Sequence, residues 1–145
     1  MRVVLQRVTA AAVRVDDEIV GQIGPGLLAL VGVGRRSRPA DAEWLAAKTA
    51  GLRVFSDDAG RMNLSVTDIG GSVLAVSQFT LYGDASRGRR PSFVDAADPT
   101  RARQLYELYC SAIPTDVQRG VFGAHMVISA EADGPVTMLL EREGL

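Results

Sequence analysis

The sequence contains one cysteine, one histidine and one lysine, and each scarcity argues against a class of site. Cys110 has no second cysteine to pair with, so an intrachain disulfide is excluded. A zinc site built from His and Cys within one chain would have only His125 and Cys110 to draw on, too few ligands. A Ser-His-Asp triad would also depend on His125, and nothing near it in sequence indicates one. We therefore expect neither a metal nor a cofactor.

Long apolar runs are also missing. The longest apolar stretch, residues 27–31, is far too short to cross a bilayer. The first residues lack the apolar core of a signal peptide. There is no repeat, linker or low-complexity tract, and hydrophobic residues make up 47% of the chain, enough for one core. We expect a single domain over residues 1–145 in a cytoplasmic protein.

The net charge of −1 argues against a protein that coats nucleic acid, but the basic residues are unevenly distributed. Apart from Lys48 they are all arginines, and they cluster at residues 35–38, 87–90 and 101–103. Arginine suits bidentate contacts with phosphate, so these clusters fit local phosphate-binding patches. Genomic base composition explains the excess of arginine equally well, and charge alone leaves both explanations open.

Hydrophobic periodicity and turn residues predict seven or eight strands and two helices. One helix is predicted over residues 39–52, and a second begins at Pro99 behind an Asp98 cap and is stopped by Pro114. Strands are predicted at residues 2–15, 18–23, 27–33, 54–55, 72–81, 117–122, 125–130 and 136–140. Because this order is not a regular βαβ alternation, we expect an α+β domain with mostly antiparallel sheets curled into a barrel-like core.

The segment Ser77–Leu81 interrupts the apolar pattern of a buried strand. It places hydroxyls, an amide and backbone N–H groups at a strand end, where a rigid scaffold often holds catalytic groups. The same residues also fit a strand that exits into a polar turn.

Gly134-Pro135 lies between two predicted strands. Such a pair is usually a plain turn. An X-Pro bond can be cis at modest cost and glycine tolerates unusual φ and ψ, so the pair can also hold backbone carbonyls toward a ligand. The sequence of this segment alone does not decide between the two.

Together these two segments resemble the paired signature of the D-aminoacyl-tRNA deacylases. Each motif alone is weak, but the two occur at family spacing in a chain of family length. Further similarities occur in family order along essentially the whole chain, at residues 2–8, 24–28, 62–64, 90–93 and 122–124.

The resemblance implies a homodimer with active sites at the dimer interface. One subunit would provide Ser77, Gln78, Phe79 and Thr80, and the partner would insert its Gly134-Pro135, with a cis peptide bond, beside them. The carbonyls of that pair would hold the substrate amino group and leave no room for an L side chain. The implied activity is hydrolysis of the ester of D-aminoacyl-tRNA, and of glycyl-tRNA mischarged on tRNA(Ala), as proofreading in translation.

The implied chemistry agrees with the residues at hand. An aminoacyl ester is already activated, so positioning and oxyanion stabilisation by N–H groups around Phe79 and Thr80 can be enough. Thr80 is either the nucleophile or a positioning group, with the 2′-hydroxyl of the terminal adenosine helping to activate water. We favour the second, because no base lies near Thr80 in sequence.

The resemblance suggests roles for a few other residues. Arg7 either supports the Gly-Pro loop or is a surface residue of its strand. Phe93 either stacks on the terminal adenine or belongs to the core. Arg87, Arg89 and Arg90 are candidates for contacts with acceptor-stem phosphates.

The sequence departs from the family pattern at Ala132, where Asn is usual, and at His125, where Asp is usual. The first change removes side-chain hydrogen bonds near the Gly-Pro pair, and the second introduces a titratable group. A module that binds aminoacyl-tRNA or an adenine nucleotide without turnover therefore stays an alternative. So does an interaction domain in which both motifs are turns.

Overall fold

A computed structural model describes residues 1–144. The segment Phe79–Tyr82 forms a 3₁₀ turn. The strands and helices are β1 (Arg2–Val15), β2 (Glu18–Ile23), β3 (Gly26–Gly32), α1 (Pro39–Gly51), β4 (Phe55–Ser56), β5 (Met62–Leu64), β6 (Ser72–Ser77), α2 (Pro99–Ala112), β7 (Asp116–Arg119) and β8 (Val127–Glu141).

The main sheet is organised around β1, which pairs antiparallel with β2, β3 and β8. β6 extends the sheet beyond β3 and pairs with β7, while β4 and β5 form a separate two-stranded sheet. The far ends of the main sheet approach each other, since a Cβ at Gly21 of β2 would lie 2.5 Å from the Arg119 carbonyl oxygen of β7. The sheet is therefore nearly closed into a barrel shape.

The two helices pack on each other and on this sheet, and both begin as the sequence predicts. Pro99 occupies the first turn of α2, where the Asp98 carboxylate accepts a hydrogen bond from the Arg101 N–H at 3.1 Å. Inside the helix pair the Thr49 and Tyr109 hydroxyls lie 2.8 Å apart and fully buried. No helix within residues 1–144 has the length and apolar character needed to cross a membrane.

The predicted α+β class with two helices and mostly antiparallel strands in a barrel-like sheet is confirmed. The exceptions to antiparallel pairing both involve β6. β6 pairs parallel with both β3 and β7, so the sheet is mixed. The chain passes through α1 between β3 and β6, and through α2 between β6 and β7. Such crossover connections bring the next strand back in the same direction.

β8 corrects the prediction of two separate strands around a sharp turn at 131–135. It is one strand paired with β1 from Val127, opposite Arg14, to Glu141, opposite Arg2. The pairing shifts register on both sides of Val8. These shifts form a bulge around Gly134-Pro135, and an edge strand tolerates proline at a bulge.

Candidate active site

The predicted change from apolar to polar residues coincides with the end of β6. Ser77 is the last residue of this strand and is in register with Val31 of β3. The Gln78 N–H donates to the Val31 carbonyl at 2.8 Å, and the chain then enters the 3₁₀ turn. The strand predicted over 72–81 therefore ends earlier, at Ser77. The turn that follows lies close to Gly32 of β3, where a Cβ would be only 3.1 Å from the Gln78 carbonyl oxygen.

A cavity of about 500 Å³ opens at this strand end. Ser77, Gln78 and Phe79 form one wall, while Tyr106 of α2 and residues 122–126 form others. The walls are mostly apolar with a few polar groups, and the volume is within the range of pockets that enclose small ligands. The cavity can therefore hold an amino acid side chain.

Tyr106 is held in a structural hydrogen bond and is not available as a base. Its hydroxyl donates to the Ala75 carbonyl of β6 at 2.8 Å. Burial raises the pKa of Tyr106, and the nearby Cys110 raises it further, so the phenol stays protonated at neutral pH. His125 is exposed on the cavity wall.

Thr80 lies outside the cavity wall with an exposed side chain. Its Oγ1 accepts a hydrogen bond from the Gln78 side-chain amide. Within the described part of the chain, no imidazole or carboxylate hydrogen-bonds to this hydroxyl. An amide cannot remove a proton, so the geometry provides no general base for Thr80.

Phe79 and Phe93 form an exposed aromatic pair at the rim of the cavity. Their ring centroids are 5.0 Å apart at an interplanar angle of 63°, an edge-to-face arrangement. Phe79 is 59% and Phe93 38% exposed, and Phe93 lies outside the buried core cluster. Both rings are therefore accessible to a ligand, as base stacking would require.

The Gly134-Pro135 pair lies on the surface, and its peptide bond is cis. Arg7 of β1 contacts Asp133, the residue before this pair. Its Nε lies 3.2 Å from both the Asp133 carbonyl oxygen and Asp133 Oδ2. Arg7 Nη1 also donates to the Val54 carbonyl at 2.7 Å, and the side chain is only 13% exposed. Arg7 therefore joins the Gly-Pro loop to the start of β4.

The structure does not bring the Gly-Pro loop to the cavity of the same chain. Arg7, which contacts the loop, pairs with Leu27, and Leu27 pairs with Val73 at the start of β6. Ser77 is four residues farther along β6. At about 3.3 Å per residue the two motifs are about 13 Å apart along the strand direction alone.

Residues 122–126, which form part of the cavity wall, were not predicted from the sequence to belong to the site. Phe122, Gly123 and Ala124 entered the prediction only through the family resemblance, and His125 only as a departure from that pattern. The hydrophobic pattern predicts that one strand ends at residue 122 and the next begins at residue 125. It does not indicate that the segment between them faces the end of β6.

Within residues 1–144, no three His, Cys, Asp or Glu side chains come together where a metal ion could bind.

A family model described as D-Tyr-tRNA(Tyr) deacylase matches residues 4–141. The protein belongs to this D-aminoacyl-tRNA deacylase family. A relative of that name from Deinococcus deserti is 56% identical over 144 residues, covering 97% of this chain and 99% of the relative. Another from Thermomicrobium roseum is 54% identical and covers 97% and 94% of the two chains.

Two solved structures have similar folds. A protein named c-Myc DNA Unwinding Element Binding Protein superposes with a TM-score of 0.92 at 35% identity, over 98% of this chain and 99% of that one. A probable eukaryotic D-amino acid tRNA deacylase superposes with a TM-score of 0.79, over 96% and 97% of the two chains. At 18% identity this second likeness concerns the fold alone.

Proposed function

We propose that the protein hydrolyses the ester bond of D-aminoacyl-tRNA in the cytoplasm, releasing the D-amino acid and free tRNA. The observation that carries this proposal is family membership over residues 4–141, which includes the Ser77–Phe79 cavity wall and the Gly-Pro loop. The cavity has room for an amino acid side chain, and the exposed Phe79–Phe93 pair beside it offers a stacking surface for the terminal adenine.

We propose that the complete site needs two copies of the chain. The Gly-Pro loop is exposed and remote from the cavity of its own chain, so it can only reach a cavity on a second copy. β8, which carries the loop, has a free edge among the described strands, and its Leu139 side chain is 64% exposed. Phe79 is exposed at the cavity rim as well. A two-fold dimer would cover these apolar surfaces and form two equivalent sites.

The Gly-Pro loop of the partner would provide the chiral filter. Its backbone carbonyls would accept hydrogen bonds from the substrate amino group and occupy the space into which an L side chain would project. Glycine has no side chain, so this filter would not exclude it. The proposed substrates accordingly include glycyl-tRNA mischarged on tRNA(Ala).

The chemistry would rest on positioning and on backbone hydrogen-bond donors. The first N–H groups of a helical turn lack acceptors within that turn, so those of Phe79 and Thr80 are suited to stabilise the oxyanion of the tetrahedral intermediate. Among residues 1–144, no general base hydrogen-bonds to the Thr80 hydroxyl, which accepts from the Gln78 amide. We therefore assign activation of water to the 2′-hydroxyl of the terminal adenosine and a positioning role to Thr80.

Replacing Thr80 separates these two mechanisms. Thr80→Ala is expected to lower kcat by less than about tenfold, because a positioning hydroxyl contributes one ordinary hydrogen bond. Replacing the 2′-hydroxyl of the terminal adenosine by hydrogen should instead abolish turnover by the unchanged enzyme. Single-turnover rates with Thr80→Ser as the matched control measure both effects. Complete loss of turnover in Thr80→Ala with normal tRNA binding would show that Thr80 is the nucleophile.

Chiral selectivity tests the function itself. Incubation with D-tyrosyl-tRNA is expected to release D-tyrosine at least about 100-fold faster than L-tyrosine is released from L-tyrosyl-tRNA. Release is measured against the spontaneous hydrolysis of each ester without protein. Binding of D-tyrosyl-tRNA without release would favour the module without turnover, and neither binding nor release would favour an interaction domain.

A further inference from the structure

A second cavity, of about 550 Å³, shares the Phe79 ring with the first. Its walls include the Phe93 ring, Val94 and the side chains of Arg35 and Arg101. We call it the arginine cavity. Because Phe79 lines both cavities, a ligand that extends from the first one along the exposed Phe79–Phe93 pair enters the cavity that Arg35 and Arg101 line.

The two arginines of this cavity are not neutralised by carboxylates. Each guanidinium makes one long hydrogen bond of 3.4 Å to a backbone carbonyl, Arg35 to Val94 and Arg101 to Ser37. Within residues 1–144, neither forms an ion pair with Asp or Glu at 4.0 Å or less. The carboxylate of the cavity wall, Asp98, accepts a hydrogen bond from the Arg101 backbone N–H. The remaining guanidinium N–H groups are therefore positioned for an anionic ligand.

The surroundings of the cavity favour RNA as the source of that anion. Accessible aromatic rings beside arginines are the combination that proteins use to bind single-stranded RNA, with bases on the rings and phosphates on the guanidiniums. The exposed loop that precedes Phe93 carries Arg87, Arg89 and Arg90, and its ends are bridged by hydrogen bonds between Asp84 and Ser92. The three arginines of this loop thus add positive charge next to the arginine cavity, on the N-terminal side of Phe93 in the chain.

We propose that the arginine cavity binds the phosphodiester joining the terminal adenosine of tRNA to the preceding nucleotide. This inference rests on the proposed function. It adds an anchor for the RNA backbone next to the aromatic pair. Arg35 and Arg101 hold the phosphate between them, which fixes the direction in which the 3′ strand leaves the site. The anchor places the ester over the first cavity and discriminates RNA esters from free amino acid esters.

Two model substrates isolate the contribution of this phosphate. D-tyrosyl-adenosine ends at the nucleoside, whereas the D-tyrosyl ester of cytidylyl-(3′→5′)-adenosine adds one phosphodiester and one further nucleoside, cytidine. We expect the protein to prefer the dinucleotide ester by at least about tenfold in kcat/KM, as a charge-assisted phosphate contact allows. The Arg35→Ala/Arg101→Ala variant should lose this preference and have about equal kcat/KM on the two esters. Arg61→Ala, an exposed arginine in a turn away from both cavities, should retain the full preference.

Each result decides the inference. A preference that persists in the double variant overturns it, as does an equal loss on both esters, which would indicate general damage to the site. If the unchanged protein hydrolyses neither ester, release of D-tyrosine from D-tyrosyl-tRNA tests the proposed function separately. The inference is then decided by calorimetric titration with uncharged cytidylyl-adenosine. Binding that weakens at least about tenfold in the double variant but not in Arg61→Ala supports it, and equal binding overturns it.

Discussion

The Gly134→Ala variant is expected to lose at least about 100-fold in kcat/KM on D-tyrosyl-tRNA, because a misplacement of about 1 Å at a positioning group has that effect. Gly134 has φ = 124°, a conformation that residues with a side chain rarely adopt. An added Cβ would also lie 2.9 Å from the Val136 backbone nitrogen and 3.1 Å from Arg7 Nη2. The loop would have to move, and with it the carbonyls proposed to form the chiral filter.

Gly60→Ala is the matched control for this variant. Gly60 also has a positive φ, of 78°, but nothing lies within 4 Å of a Cβ there. Its substitution should lower the unfolding free energy by about 1 kcal/mol and leave kcat/KM unchanged. Rates on D-tyrosyl-tRNA and L-tyrosyl-tRNA, together with urea unfolding, measure both effects. A Gly134→Ala enzyme with full activity and full D selectivity would remove the Gly-Pro loop from the mechanism.

Among the single substitutions in the protein, Arg7→Ala is expected to have the second largest effect. It should lower kcat/KM at least about tenfold and the unfolding free energy by about 2 kcal/mol. The Arg7 side chain donates to both the Asp133 and Val54 carbonyls, so its removal leaves the part-buried Val54 carbonyl without this donor and the Gly-Pro loop unsupported. The ion pair with Asp133 adds little to this, because the Asp133 side chain is 49% exposed and solvent screens the charges.

Two further variants separate the support of the loop from the loss of charge. Arg7→Lys retains the charge, but one ammonium group cannot reproduce the planar fork that reaches two carbonyls, so its activity should remain well below that of the unchanged enzyme. Arg14→Ala removes an exposed arginine of the same strand and should leave the activity intact. Steady-state rates test these expectations, once circular dichroism has shown that each variant is folded like the unchanged protein. Full activity of Arg7→Lys would reduce the role of Arg7 to its charge.

Local sequence signals were sufficient for the parts of the fold that depend on local interactions. Both helices begin at a proline, as predicted, because proline fits the first turn and Asp98 supplies the cap of the second helix. The change from apolar to polar residues at Ser77 predicted where the chain leaves the core, and the cavity opens there, although the strand itself was predicted to continue to Leu81.

Features that depend on tertiary pairing could not be predicted in the same way. The parallel direction of β6 follows from two helical crossovers packing on the sheet, which no single segment encodes. The long strand β8 contains Gly134-Pro135, a pair that usually ends a strand, and it continues only because the pairing with β1 absorbs a bulge there. The wall formed by residues 122–126 depends on the same long-range packing.

Mixed dimers test whether each active site is shared between two subunits. One subunit would carry Gly134→Ala, and the other Gln78→Ala/Phe79→Ala, so that each parent homodimer is damaged in a different half of the site. In a mixed dimer isolated through two different affinity tags, one of the two sites would combine both unchanged halves. If the site is shared, the mixed dimer recovers about half of the unchanged enzyme's activity on D-tyrosyl-tRNA. A mixed dimer as inactive as both parents would contradict a shared site.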